Sequence, residues 1–250
     1  MRDKLHGYLA TRIDLPLREA RRRWKSLSRR LRRRRDPYEN ARLPVASWKQ
    51  CTSQRAMRLW EPAVADGNVS RGELAILAAF AAECRNGANL FEIGTFDGRT
   101  TLNLALNAPI GCTIYTLDLP PDTATAFRLD EGEKQFVDKP SSGARYERYR
   151  QSCPVIIGRI RQMFGDSGTF DFSPFENTSS LVFVDGSHAY DYVISDSRAA
   201  MAMVHSGGVV LWHDYGIWAG VTEGLNELEH DGRCTLRRIC GTSLVYWRKP

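Results

Sequence analysis

Asn89-Leu90-Phe91-Glu92-Ile93-Gly94-Thr95-Phe96-Asp97-Gly98-Arg99-Thr100 is the stretch that decides the fold. A short apolar run ends there in a turn with two glycines, and a helix-forming segment follows. Strand, glycine turn and helix in that order lay the floor of a ligand crevice in an α/β sheet. Three later apolar runs also end in a carboxylate, at Asp118, Asp185 and Asp214. Parallel strands present their C-terminal ends along one edge, so these acids are expected to face one crevice.

Upstream, Ser70-Arg71-Gly72-Glu73 reads as a capping box, with Ser70 accepting from a helical amide and Glu73 reaching back. The apolar run behind it predicts a helix that ends by Gly87. Downstream, β-rich runs over 90–93, 112–117, 159–164, 181–184, 209–212, 235–239 and 243–247 alternate with helical patterns over 99–106, 190–204 and 222–230. The pattern predicts a mostly parallel seven-stranded α/β sheet with helices on both faces. The glycine turn lacks the GxGxxG spacing of a dinucleotide site, and no GxxxxGK[ST] supports a P-loop. Residues 121–154 exceed an ordinary α/β connection and are expected to form a partly helical lid in which selectivity resides.

At 250 residues and 42% apolar content the chain can bury a full-sized core. Its formal charge of +6 is unevenly spread: residues 1–36 hold 14 Lys/Arg against 4 Asp/Glu, leaving 21 against 25 for the remainder. The body is mildly acidic, which disfavours a nucleic-acid substrate. Within the basic arm, Leu17, Ala20, Trp24, Leu27 and Leu31 recur at spacings of three or four. This predicts an amphipathic helix stopped near Asp36-Pro37. Such a helix can pack on its own domain or on a second subunit, contact an anionic membrane peripherally, or bind an acidic partner. Residues 37–69 read as a connector and possible pocket cover, with a short helix expected around 53–61. The six cysteines lack zinc-site spacing and are expected to be reduced. No apolar run reaches a membrane-spanning length and no secretory signal opens the chain, so a cytoplasmic address is expected, with peripheral membrane association open.

From residue 70 to 248 the chain resembles a class I S-adenosylmethionine-dependent methyltransferase, and within that superfamily the small-molecule branch called methyltransferase family 24. The likeness rests on Phe91-Glu92-Ile93-Gly94-Thr95, Gly165-Asp166-Ser167, Phe170-Asp171-Phe172-Ser173-Pro174-Phe175, Phe183-Val184-Asp185-Gly186-Ser187-His188 and Gly207-Gly208-Val209-Val210-Leu211-Trp212-His213-Asp214-Tyr215. It implies a Rossmann-like domain over residues 70–250 that binds S-adenosylmethionine. Glu92, Gly94, Thr95 and Gly98 then form the cofactor loop, with Glu92 near the methionine ammonium directly or through water. Asp118 accepts from the ribose hydroxyls, and Asp166 with Ser167 meets the adenine edge.

The resemblance also implies methyl transfer to a hydroxyl of a small organic acceptor, with Asp185, His213 and Asp214 around a divalent metal. Magnesium is usual there, but an imidazole at 213 favours manganese, iron or zinc, or else makes His213 a base. Asp185, His188 and His213 are the candidate catalytic residues, His188 as a base of near-neutral pKa. Tyr215 and Trp218 are candidate aromatic walls for the acceptor. Self-association is a further expectation. The competing readings are a nucleic-acid or protein methyltransferase that uses the basic arm, and a non-catalytic binding or assembly protein with this fold.

Overall fold

In each sheet-forming run, alternate side chains go to opposite faces, and both faces are covered. The computed structural model describes residues 4–9, 15–31, 39–53, 56–61, 69–121, 123–137, 139, 141–232 and 234–250. In chain order the elements are β1 (Lys4–Leu9), α1 (Leu15–Leu31), β2 (Val45–Ala46), α2 (Trp48–Cys51), β3 (Ala56–Glu61), α3 (Arg71–Ala82), β4 (Asn89–Ile93), α4 (Arg99–Asn107) and β5 (Thr113–Asp118). The short helices α5 (Lys134–Val137), α6 (Ala144–Glu147) and α7 (Pro154–Ile157) follow, then β6 (Ile160–Phe164), β7 (Ser179–Val184), α8 (Tyr190–Met203), β8 (Val204–Trp212), α9 (Ala219–His230), β9 (Arg237–Ile239) and β10 (Val245–Arg248).

The main sheet runs β2-β9-β10-β8-β7-β4-β5-β6. Strands β6, β5, β4, β7 and β8 are parallel, and β10 is antiparallel to both β8 and β9. Leu181 and Phe183 of β7 join the core layer beneath α3 and α4. Val182 and Val184 point the other way, into the layer beneath α8 and α9. The α3 capping box forms as expected: Glu73 N donates to Ser70 Oγ, and Ser70 N donates to Glu73 Oε2 at 2.9 Å.

Two parts of the N-terminal third depart from expectation. The seven expected strands are joined by an eighth, because Val45–Ala46 of the connector pairs in parallel with β9. Residues 56–61 form strand β3 instead of a helix, paired antiparallel with β1 in a two-stranded sheet. Their burial alternates, with Met57 and Leu59 inward, so the period is two and not 3.6. Two amides of α4 bind the backbone of β3: Asn103 accepts from Trp60 N at 2.7 Å and Asn107 accepts from Arg58 N at 3.1 Å. The arm helix α1 forms over 15–31; its expected stop at Asp36-Pro37 lies outside the described residues.

One close approach sets the geometry of the sheet edge. Gly94 has a φ of 100°, and a Cβ there would lie 2.1 Å from the backbone oxygen of Asp185. The turns after β4 and β7 can touch only because this side chain is missing. Gly87 also has positive φ, at 84°, but a Cβ there meets nothing within 4 Å. Gly87→Ala should therefore cost about 1–2 kcal/mol, the left-handed backbone penalty alone. Gly94→Ala should cost about 4 kcal/mol or more, because the backbones must also separate. Urea unfolding of both variants checks this; equal losses would show that the contact is not rigid.

Candidate active site

The ends of β4, β5, β7 and β8 deliver Gly94, Asp118, Asp185 and Asp214 to one edge of the sheet, where two cavities meet. The walls of the first include Asp118, Asp166, Ser167 and Tyr192. Asp118 accepts from Phe96 N at 3.1 Å and from Lys139 Nζ at 2.8 Å. Asp166 accepts from Gly168 N at 2.9 Å and from the Tyr192 hydroxyl at 2.8 Å. The second cavity is bounded by Val69, Thr95, Arg99 and Asp214. Gly94, Phe96, Phe136, Asp185, Gly186 and His188 line both.

Glu92, Thr95 and Gly98 support this floor from behind or from the side. Glu92 is 1% exposed and accepts from the hydroxyls of Thr101 and Thr116, the latter at 2.8 Å. Burial raises its pKa to about 8, against the pull of those hydroxyls, so it is neutral at pH 7. The Thr95 hydroxyl lies 2.7 Å from that of Thr116 and accepts from Gln162 Nε2 at 3.1 Å. Gly98 is the left-handed N-cap of α4, with the Tyr146 ring where a side chain would go.

Beyond the shared wall, four carboxylates surround two imidazoles. His188 Nδ1 is 2.7 Å from Glu133 Oε1, and its Nε2 is 2.9 Å from Asp214 Oδ2. Trp218 stacks on its ring at 4.4 Å between centroids. Burial opposes the charge on His188, but the bonds to Asp214 and Glu133 outweigh it and raise the pKa to about 9. His188 is thus an imidazolium, not the near-neutral base expected from the sequence. His213 lies deeper, with Nδ1 3.1 Å from both Asp185 and Asp214 and Nε2 3.6 Å from Glu73. Burial again opposes its charge, and the two aspartates prevail and hold its pKa well above the usual value. Asp214 adopts a left-handed φ of 63°, which turns its two oxygens toward different histidines.

This geometry brings His188 as well as His213 to the two aspartates of the expected metal set. Asp185, His188 and Asp214 each offer a donor atom within 4.8 Å of the others, whereas His213 faces carboxylates on both nitrogens. Tyr215 is displaced from its expected role. It is fully buried, its hydroxyl accepting from Arg42 N and Leu43 N and donating to Asn226, so it clamps the connector and lines neither of the two cavities. No local motif marks Glu133 and Lys139 as site residues. Their segment stood out only by its length, and they reach His188 and Asp118 across 55 and 21 positions.

A family profile described as a methyltransferase domain matches residues 91–215. The O-methyltransferase NovP shares 15% identity over 76% of this chain and 84% of its own, with a TM-score of 0.57. A protein from Corynebacterium glutamicum shares 15% identity over 73% and 82%, at 0.52. The O-methyltransferase TomG from Streptomyces achromogenes, solved with SAM, shares 17% over 73% and 82%, at 0.50. At these identities they establish the fold alone. No curated protein sequence matches the chain.

The buried Glu92 generates a pH signature. Its folded-state pKa of about 8 lies above the ordinary 4.5, so the native state holds this proton more tightly than the unfolded chain. That stabilisation is complete below pH 4.5 and is lost as pH rises through 8. Glu92→Gln should remove this slope, so melting temperatures of variant and wild type should diverge in the variant's favour across that window. Parallel curves would show that Glu92 is not the titrating group.

Proposed function

Because this chain belongs to the methyltransferase-domain family, we propose that it carries the methyl group of S-adenosylmethionine to a hydroxyl oxygen of a small organic acceptor. The observation that carries the proposal is the pair of cavities with a common wall at Gly94, Asp185 and His188. Cofactor fills the first and acceptor the second, so sulfonium and oxygen approach across that wall. The names of NovP and TomG as O-methyltransferases favour oxygen as the nucleophile. The acidic body, with 21 Lys/Arg against 25 Asp/Glu beyond residue 36, disfavours a nucleic-acid acceptor.

In the first cavity Asp118 takes the ribose hydroxyls in place of Lys139, and Asp166 with Ser167 takes the adenine edge. Glu92, held by the Thr101 and Thr116 hydroxyls, shapes the loop behind Gly94 on the side of the methionine ammonium. In the transfer an oxygen lone pair attacks the methyl carbon, the carbon–sulfur bond breaks, S-adenosylhomocysteine leaves, and the hydroxyl proton passes to a base. His188 holds both its nitrogens in ion pairs, so it accepts that proton only after Glu133 withdraws with its segment and Nδ1 gives up its own. Trp218 keeps the ring in plane while this happens.

Once His188 Nε2 gives up its proton, Asp185, His188 and Asp214 fit a divalent ion, since their donor atoms lie within 4.8 Å of one another and Asp214 Oδ1, 3.1 Å from His213 Nδ1, makes no hydrogen bond. Their mixed oxygen and nitrogen set suits manganese, iron or zinc better than magnesium. Such an ion would supply positive charge beside the acceptor oxygen as it loses its proton.

Two variants separate the subsites. Asp118→Ala should weaken S-adenosylmethionine binding by about tenfold or more, the loss of two hydrogen bonds to a charged group. Asp185→Ala should leave that affinity nearly intact and abolish turnover. Calorimetric titration with the cofactor, beside an assay for S-adenosylhomocysteine release, reads both; the reverse pattern would exchange the two subsites. Glu133→Gln removes one of the carboxylates that raise His188 toward 9, so the acidic limb of the kcat/KM profile should move to lower pH. An unmoved limb would exclude His188 as the base.

A further inference from the structure

The arm helix α1 is docked by its polar side. Glu19 binds Arg238 through both oxygens, at 2.6 and 2.9 Å, and accepts from Gly241 N at 3.0 Å. Arg22 donates to the backbone oxygen of Thr242, and Arg18 donates to Ser70 Oγ at 3.1 Å. A helix advances about 100° per residue, so this puts the opposite side outward. On that side lie Leu17, Trp24, Leu27 and Leu31, which are 56%, 73%, 52% and 78% exposed. A surface helix normally does the reverse, with its apolar stripe toward the core.

Scattered exposed apolar residues need no explanation, but these four form one stripe at helical spacing. Around it the chain supplies cations. The sequence of α1 holds seven Lys/Arg and one acid, and that acid is engaged by Arg238. Arg18, Arg21, Arg22, Lys25 and Arg29 line a cleft closed by Ser70, Ser243 and Ile217, and Ile217 is itself exposed. The acid in that cleft, Glu73, is occupied by Ser70 N, Ser243 N and Ser243 Oγ.

We propose that α1, held rigidly on the catalytic body by Glu19 and Arg238, is a docking surface for an anionic lipid bilayer. Leu17, Trp24, Leu27 and Leu31 enter the acyl boundary, while the flanking arginines and lysine take headgroup phosphates. Charge chooses this occupant. A second copy would bring two strongly cationic helices together, and like charges at an interface oppose association. A nucleic acid would satisfy the cations but leave the apolar stripe against water or phosphate. Among the described residues no helix is long and apolar enough to cross a membrane, so contact is with the surface. The polar docking face also gives the helix a fixed orientation on the body, so membrane contact through α1 sets how the body and its cavities face the bilayer. Docking does not depend on methyl transfer and is tested without it.

The test is co-sedimentation of the full chain with phosphatidylcholine vesicles, with and without phosphatidylglycerol. Binding should require the anionic lipid, weaken at high salt, and fall about tenfold or more in Trp24→Ser/Leu27→Ser. The charge variant Arg21→Glu/Lys25→Glu should lose it as well. Trp24 and Leu27 point away from the body, and Arg21 and Lys25 are exposed at the rim of the cleft, so both variants should keep the wild-type melting temperature. Three results would overturn the proposal: no preference for anionic vesicles, binding unchanged in the serine variant, or a concentration-dependent dimer that the same variant abolishes. Tighter binding to duplex DNA than to anionic vesicles at equal salt would overturn it too.

Discussion

Four carboxylates and two imidazoles, nearly all shut away from water, must balance their charges at the edge of the sheet. Glu73 comes from α3, Glu133 from the segment before α5, Asp185 from the end of β7 and Asp214 from the end of β8. Unpaired, such carboxylates would be costly to bury. Paired with two protonated histidines, they tie four separate parts of the chain to one point. The same contacts hold the carboxyls of Glu73, Glu133 and Asp214 below their usual range despite burial.

That balance links the fold to the chemistry. His213 is an internal cation that sets Asp185 and Asp214 side by side, and His188 closes the cavity floor. The missing side chain of Gly94 lets the β4 turn sit against the backbone of Asp185, so the two cavities share a wall. The segment carrying Glu133 and Lys139 contacts the site through ion pairs to His188 and Asp118. A segment attached by charges to the groups a ligand would use can exchange with that ligand.

Away from the site, charge again decides placement. Glu19 sits in a bidentate pair with Arg238, which brings its pKa down to about 2. An amphipathic helix docked by its one acid turns its apolar stripe outward. Tyr215, buried by the same end of the sheet, fastens residues 42 and 43 of the connector.

Local pattern alone determined the alternation of strands and helices, the capping box at Ser70 and the acids at the strand ends. Each depends on neighbours a few positions apart, and the periods of 2 and 3.6 are visible in the residues themselves. The motif resemblance likewise identified the family. Only the tertiary structure brought both histidines to the aspartates: His188 and His213 stand 26 and 1 positions from Asp214, and both come within 3.1 Å of it. It also decided that 56–61 is a strand, since its partner β1 lies about fifty residues away. Its place after Asp214 suits Tyr215 to a cavity wall, yet the distant amides of Arg42 and Leu43, with Asn226, hold its hydroxyl inward. The orientation of α1 belongs to the same class: sequence periodicity specifies two faces, and only a distant Arg238 selects which one is buried.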